Sequence, residues 1–135
     1  MTEEERIFRG ELFASEEPEL VEKKRRAHRL SQKYNETFED DAEVREAILR
    51  ELLGELGEGV CMLGPVRFHY GCHTRVGNHC FMNFNFTVQD DALVTIGDHC
   101  NFGPNVTIVT PMHPMLPDER RGMVCDDGVE RFLCY

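Results

Sequence analysis

His113 stands between Met112 and Pro114 in a segment, Thr110 to Asp118, that holds three prolines in nine residues. An imidazole is the side chain best suited to move a proton near neutral pH. Proline has no N–H to give, so this segment cannot extend a strand ladder and reads as a stiff loop. Loops held by rigid scaffolds are where function concentrates, and the plain alternative is a surface histidine with no role. A second concentration is His69, Cys72, His73, His79, Cys80, His99 and Cys100. These are zinc-ligand types, but no CxxC pair accompanies them, so no metal is expected. A third is the basic run Lys23-Lys24-Arg25-Arg26 with His28-Arg29. It could meet ligand phosphates, or it is a solvated helix face balanced by acidic neighbours, which is what such runs usually are.

The element that must position His113 is a repeat. Val76-Gly77-Asn78-His79-Cys80 is answered twenty residues later by Ile96-Gly97-Asp98-His99-Cys100. Bulky apolar residues recur every six positions: Val76, Met82 and Val88, then Ile96, Phe102 and Ile108. A period of six is neither 3.6 nor 2, so neither a single helix nor a flat strand fits. It fits a solenoid that turns a corner every six residues. Three sides of six leave two residues of each twenty over, and Asp90-Asp91 can take them as a small bulge. A weaker third copy aligns Met62, Val66 and Phe68 with Met82, Phe86 and Val88. Asn85 and Asn105 fall at one slot and predict an asparagine ladder, and Cys80 and Cys100 fall at another and predict small inward side chains.

Residues 1–58 have a different texture and predict a helical cap, with the coils over 59–135. Thr2 with Glu5 forms a capping-box pattern for a first helix ending near Gly10 to Phe13. A second helix follows Ser15 and Pro18 and runs to about Tyr34, with Leu20, Ala27, Leu30 and Tyr34 as its apolar stripe. A third starts after Asp40-Asp41, presents Val44, Ala47, Ile48, Glu51 and Leu52, and stops at Gly54 and Gly57. Solenoid ends need such covers, because an open coil exposes apolar side chains and unpaired edges.

The 135 residues carry a formal charge of −10, which argues against nucleic-acid and anionic-membrane partners. No apolar run reaches the roughly 20 residues of a membrane span, and no leader pattern opens the chain. A cytoplasmic protein is expected, with its six cysteines reduced.

Several segments together resemble the maltose and galactoside O-acetyltransferase family within the hexapeptide-repeat acyltransferases. They are Glu5-Arg6-Ile7 to Gly10-Glu11-Leu12-Phe13, Lys33-Tyr34-Asn35, Phe81 to Asn85, Val94 to Asp98, Gly103-Pro104-Asn105-Val106, and the Thr110 to Pro114 loop. The resemblance implies a mostly β protein, a left-handed parallel β-helix behind a small helical cap. It implies a homotrimer with active sites between subunits, acetyl-CoA as donor and a sugar hydroxyl as acceptor. It places the catalytic base at His113, in a loop spanning about 110–121. It gives Asn83 the oxyanion and donor-binding role, and gives Asp91 acceptor hydroxyls. Asp90 and Asp91 could equally be polar turn residues. Departures from the family pattern at Ser15, Lys24 and His69, where it has an aspartate, an arginine and a serine, leave the acceptor open.

The family also continues for several coils beyond the position of Tyr135. The chain is therefore expected to be the front part of a longer protein, ending in an uncapped apolar run from Arg131 to Tyr135. A non-catalytic scaffold is the competing expectation, and a His/Cys zinc protein a weaker one.

Overall fold

The computed structural model describes residues 1–131. The repeat folds as a left-handed parallel β-helix behind a helical cap. One side of the coil stacks β1 (Glu55–Leu56), β4 (Thr74–Val76) and β7 (Val94–Ile96). The second stacks β2 (Cys61–Met62), β5 (Phe81–Met82) and β8 (Asn101–Phe102), and the third β3 (Val66–Phe68), β6 (Phe86–Gln89) and β9 (Thr107–Val109). Every parallel partner is twenty residues away, as in Met62 with Met82, Phe68 with Val88, and Val88 with Ile108. The first strand begins at Glu55, on the cap side of the boundary expected at 58.

Strand alternation explains why the six-residue apolar positions fill the coil. Val66 and Phe68 point inward and Arg67 outward. Met62, Val66, Phe68, Val76, Met82, Phe86 and Val88 are buried in one core. Each fully buried side chain of this size contributes roughly 1.5–3 kcal/mol. The corners are made by non-glycine residues in the left-handed region, His79 and His99 at φ 55° and 56°, and Asn85 and Asn105 at φ 59° and 62°. Asparagine tolerates that region, and Asn85 Nδ2 donates to Asn105 Oδ1 at 2.9 Å, so the predicted ladder forms. His79 and His99 stack with ring centroids 5.2 Å apart. Gly77 is required at its corner, because a Cβ there would sit 2.5 Å from Asp98 Oδ1 and 2.8 Å from the carbonyl carbon of Gly97.

The cap holds α1 (Glu3–Phe8), α2 (Pro18–Asn35) and α3 (Ala42–Leu52). Thr2 and Glu5 form the full capping box, and Glu17 caps α2 by accepting the Leu20 N–H. The predicted α2 stripe is buried, and α2 lies along β3. In α3 the reading needs two corrections. Asp41 makes no cap hydrogen bond, because its carboxylate turns back to the Phe38 N–H at 2.9 Å. The buried face is Ile48, Leu49 and Leu52, while Val44 is exposed. The Arg45 guanidinium fixes α3 to the coil, donating to the carbonyls of Met62 and Leu63 while lying over the Tyr34 ring.

Beyond β9 the proline-rich loop leads to a short α4 (Pro117–Arg120) and an antiparallel hairpin of β10 (Met123–Val124) and β11 (Glu130–Arg131). Buried Arg131 grips Glu3 of α1 and Asp127, which returns this excursion to the cap. The rest of the apolar run expected over 131–135 lies outside the described residues, as does Cys134. The five described cysteines are unpaired; Cys80 is buried as expected, while Cys100 is only partly so. Among the described residues no three His, Cys, Asp or Glu side chains converge as a metal site. No described helix is long and apolar enough to cross a membrane.

Candidate active site

The loop that carries His113 is rooted on the corner that follows β6. Thr110 donates its N–H to the Gln89 carbonyl at 3.1 Å, and its hydroxyl accepts the Ala92 N–H at 3.0 Å. Between those anchors lie Asp90 and Asp91, and the structure separates their roles. The Asp90 carboxylate accepts the N–H groups of Tyr70 and Gly71 at 2.7 and 2.9 Å and the Thr74 hydroxyl at 2.6 Å. Both of its oxygens are engaged by the fold, so it is a structural turn residue.

Asp91 is only 5 % exposed, and its Oδ1 has no hydrogen-bond partner. Burial pushes its carboxyl above the ordinary range, against the pull of the Lys24 charge and, more weakly, of His73 and the nearby His113. A buried carboxylate oxygen without a partner is costly and calls for an explanation. Here the groups around it, not the fold, supply one.

Lys24 is the first of those groups. Its Nζ donates to the Ser15 carbonyl at 2.8 Å, and its side chain is 14 % exposed. That corrects the reading of the basic run as one solvated face: Arg25 and Arg26 are exposed, whereas Lys24 is largely covered. Ser15 acts through its carbonyl, while its hydroxyl points to Glu16 at 3.4 Å. His69 stands edge-on to Tyr70 and meets His28, with Nδ1 3.3 Å from His28 Nε2. Burial, then the charges of His28 and Lys24, lower its pKa to about 4, so the ring is neutral near pH 7. His28 was not expected at the site. Its position four residues after Lys24, on one helix face, is the signal that could have found it.

The corner rests on a second histidine. Both ring nitrogens of His73 face acceptors: Nδ1 the carbonyls of Asp90 and Asp91, each at 2.9 Å, and Nε2 the Glu4 carboxylate at 2.7 Å. A ring with acceptors on both sides is an imidazolium. Burial opposes that charge, but hydrogen bonds to Cys72 and Glu4 outweigh it and raise the pKa to about 9. Glu4 also takes the Lys23 ammonium at 2.7 Å.

Asn83 is half-buried and lies elsewhere. It sits at the corner between β5 and β6, with its N–H on the Phe102 carbonyl and its Oδ1 accepting the Phe84 N–H at 2.8 Å. Its Nδ2 is left to donate to something else. The side formed by β3, β6 and β9 separates this corner from the His113 corner, roughly 16 Å for five extended residues. One chain therefore gathers Ser15, Lys24, His69, Asp91 and His113 at one corner and leaves Asn83 at another.

Residues 6–57 match the maltose acetyltransferase hexapeptide capping motif. The chain is 38 % identical over 120 residues to nodulation protein L of Rhizobium meliloti, covering 89 % of this chain and 66 % of that protein. It is 36 % identical over 117 residues to galactoside O-acetyltransferase of Escherichia coli, covering 87 % and 58 %. The crystal structure of a hexapeptide-repeat acetyltransferase from Vibrio cholerae, complexed with acetyl coenzyme A, superposes with a TM-score of 0.81 at 34 % identity, covering 99 % of this chain and 68 % of that one. The chain thus spans about two thirds, or less, of the length of these relatives.

Proposed function

The chain belongs to the maltose and galactoside O-acetyltransferase family of hexapeptide-repeat acetyltransferases, and from that we propose that it serves transfer of the acetyl group of acetyl-CoA to a sugar hydroxyl. The observation that carries this reading is the unpartnered oxygen of buried Asp91 at the corner that roots the His113 loop. A sugar hydroxyl is the partner that oxygen lacks: it donates one hydrogen bond and leaves its own oxygen free. Lys24 and the neutral His69 stand beside it to take neighbouring hydroxyls.

The chemistry then follows from the residue types. His113 takes the proton of the attacking hydroxyl as the C–O bond forms at the thioester carbonyl. The carbonyl oxygen becomes an oxyanion, and the Nδ2 of Asn83 donates to it. Collapse breaks the C–S bond, and the thiolate of coenzyme A leaves with the proton that His113 held.

Asn83 and His113 sit at different corners of the β-helix, on successive coils, so this arrangement needs Asn83 from a neighbouring copy. A homotrimer with its sites between subunits closes that head-to-tail contact. Met112, Met115 and Leu116, exposed on the His113 loop, suit burial against such a neighbour.

The test is turnover. The purified protein, given acetyl-CoA and a panel of galactosides, maltose and other sugars, is expected to release free coenzyme A and yield acetylated sugar by mass spectrometry. Coenzyme A release that is independent of every sugar would refute the reading.

A further inference from the structure

A groove of about 890 Å³ runs between α2 and the outer face of β3 and β6. It holds neither His113 nor Asp91, yet it opens onto their corner, because His28 and His69 line its near end. Its size falls in the range of small-molecule clefts. From His28 to Glu36, the helical wall spans roughly 12 Å at 1.5 Å per residue.

The lining is polar in a particular way. Gln32 projects from the helix wall, and Arg67 and Gln89 from the strand wall. Among the described residues, the side chains of these three make no hydrogen bond or ion pair within the chain. Arg67 is exposed on the strand wall and presents its guanidinium to the groove. The two planar amides each present a donor beside an acceptor and the guanidinium presents paired donors, a match for vicinal hydroxyls of a pyranose ring.

We propose that this groove is a second saccharide subsite, so that the preferred acceptor is an oligosaccharide whose next sugar ring lies against Gln32, Arg67 and Gln89. The inference rests on the acetyl-transfer reading of the adjoining corner. The His28–His69 pair forms the threshold between the two rings. Its single shared hydrogen bond leaves one nitrogen on each imidazole for the linking oxygen and its neighbours.

The experiment compares a monosaccharide acceptor with its disaccharide in the full protein and in the double variant Arg67→Ala/Gln89→Ala. Both residues have exposed side chains, and circular dichroism checks that the variant is folded. In the parent protein kcat/KM is expected to favour the disaccharide by about tenfold or more, the worth of one or two hydrogen bonds. In the double variant the ratio is expected to fall to near one. A ratio of one in the parent, or a ratio that survives the double substitution, overturns the proposal. Saturation-transfer NMR with the disaccharide alone separates this from the acetyl-transfer reading. Contacts to both rings, with those to the second ring lost in the variant, support the subsite even if nothing is acetylated. Contacts to one ring only, or none, overturn it.

Discussion

Glu4 and His73 meet across 69 residues of chain, carboxylate oxygen to ring nitrogen at 2.7 Å, and that contact ties the first helix to the corner that carries Asp91. Because the other nitrogen of His73 donates to the carbonyls of Asp90 and Asp91, the ion pair sets the position of the corner's backbone as well as its charge.

The pH dependence of stability follows. The His73 pKa rises from 6.5 to about 9 on folding, so its contribution is fully present below pH 6.5 and is lost as pH rises through about 9. Glu4 is shifted down from 4.5; burial works against that shift, and Lys23 and His73 prevail, so its share is lost only as pH falls below that range. Thermal melts of the parent should therefore weaken between pH 6.5 and 9, by on the order of 2–3 kcal/mol. Glu4→Gln should lower the melting temperature at pH 6 and flatten that decline. A Glu4→Gln curve parallel to the parent's would show that the pair does not hold the corner.

Asp91 makes the opposite demand on the fold. Its carboxylate is buried without a partner for Oδ1, and burial raises its pKa, so its charge costs stability above pH 4. Asp91→Asn is expected to leave stability unchanged or raise it by about 1 kcal/mol. The same change should lower kcat/KM for the sugar by roughly tenfold to a hundredfold, through loss of a charge-assisted hydrogen bond. Unfolding data and acceptor kinetics on one preparation check both halves. A destabilised variant with normal kinetics would make Asp91 a structural residue like Asp90.

His113→Ala is expected to cut acetyl transfer by about 10²–10⁴-fold, the usual contribution of a general base. The side chain is exposed and makes no hydrogen bond among the described residues, so the melting temperature should not move. Steady-state rates with saturating acetyl-CoA decide the matter, and a loss under tenfold removes His113 from the role.

Much of this was legible before any coordinates. The six-residue apolar rhythm coincides with burial at Val76, Met82 and Val88, because each coil side must present inward residues at the same phase. The basic run does not behave as a block, since Lys24 is covered where Arg25 and Arg26 are exposed. Leu20 and Ala27 define the covered face of α2, and Lys24 lies four residues after one and three before the other, on that face. The division between Asp90 and Asp91 could not be read at all. Adjacent carboxylates in a two-residue bulge have the same sequence context, and only the amides of Tyr70 and Gly71 decide which one is committed.

The distance between Asn83 and His113 was countable and has the strongest consequence. They are thirty residues apart, one turn of twenty and a half, which puts them on different corners. Asn83→Ala and His113→Ala chains should each be nearly inactive alone. Co-expressed in equal amounts, they should form mixed oligomers in which the intact His113 of one chain faces the intact Asn83 of its neighbour. Random assembly restores about a quarter of the sites. Native mass spectrometry would establish that mixed species are present, and acetylation by that fraction is the readout. Activity near a quarter of the parent's places each active site between two copies. Mixed oligomers without recovery would mean that His113 of one copy does not share a site with Asn83 of its neighbour.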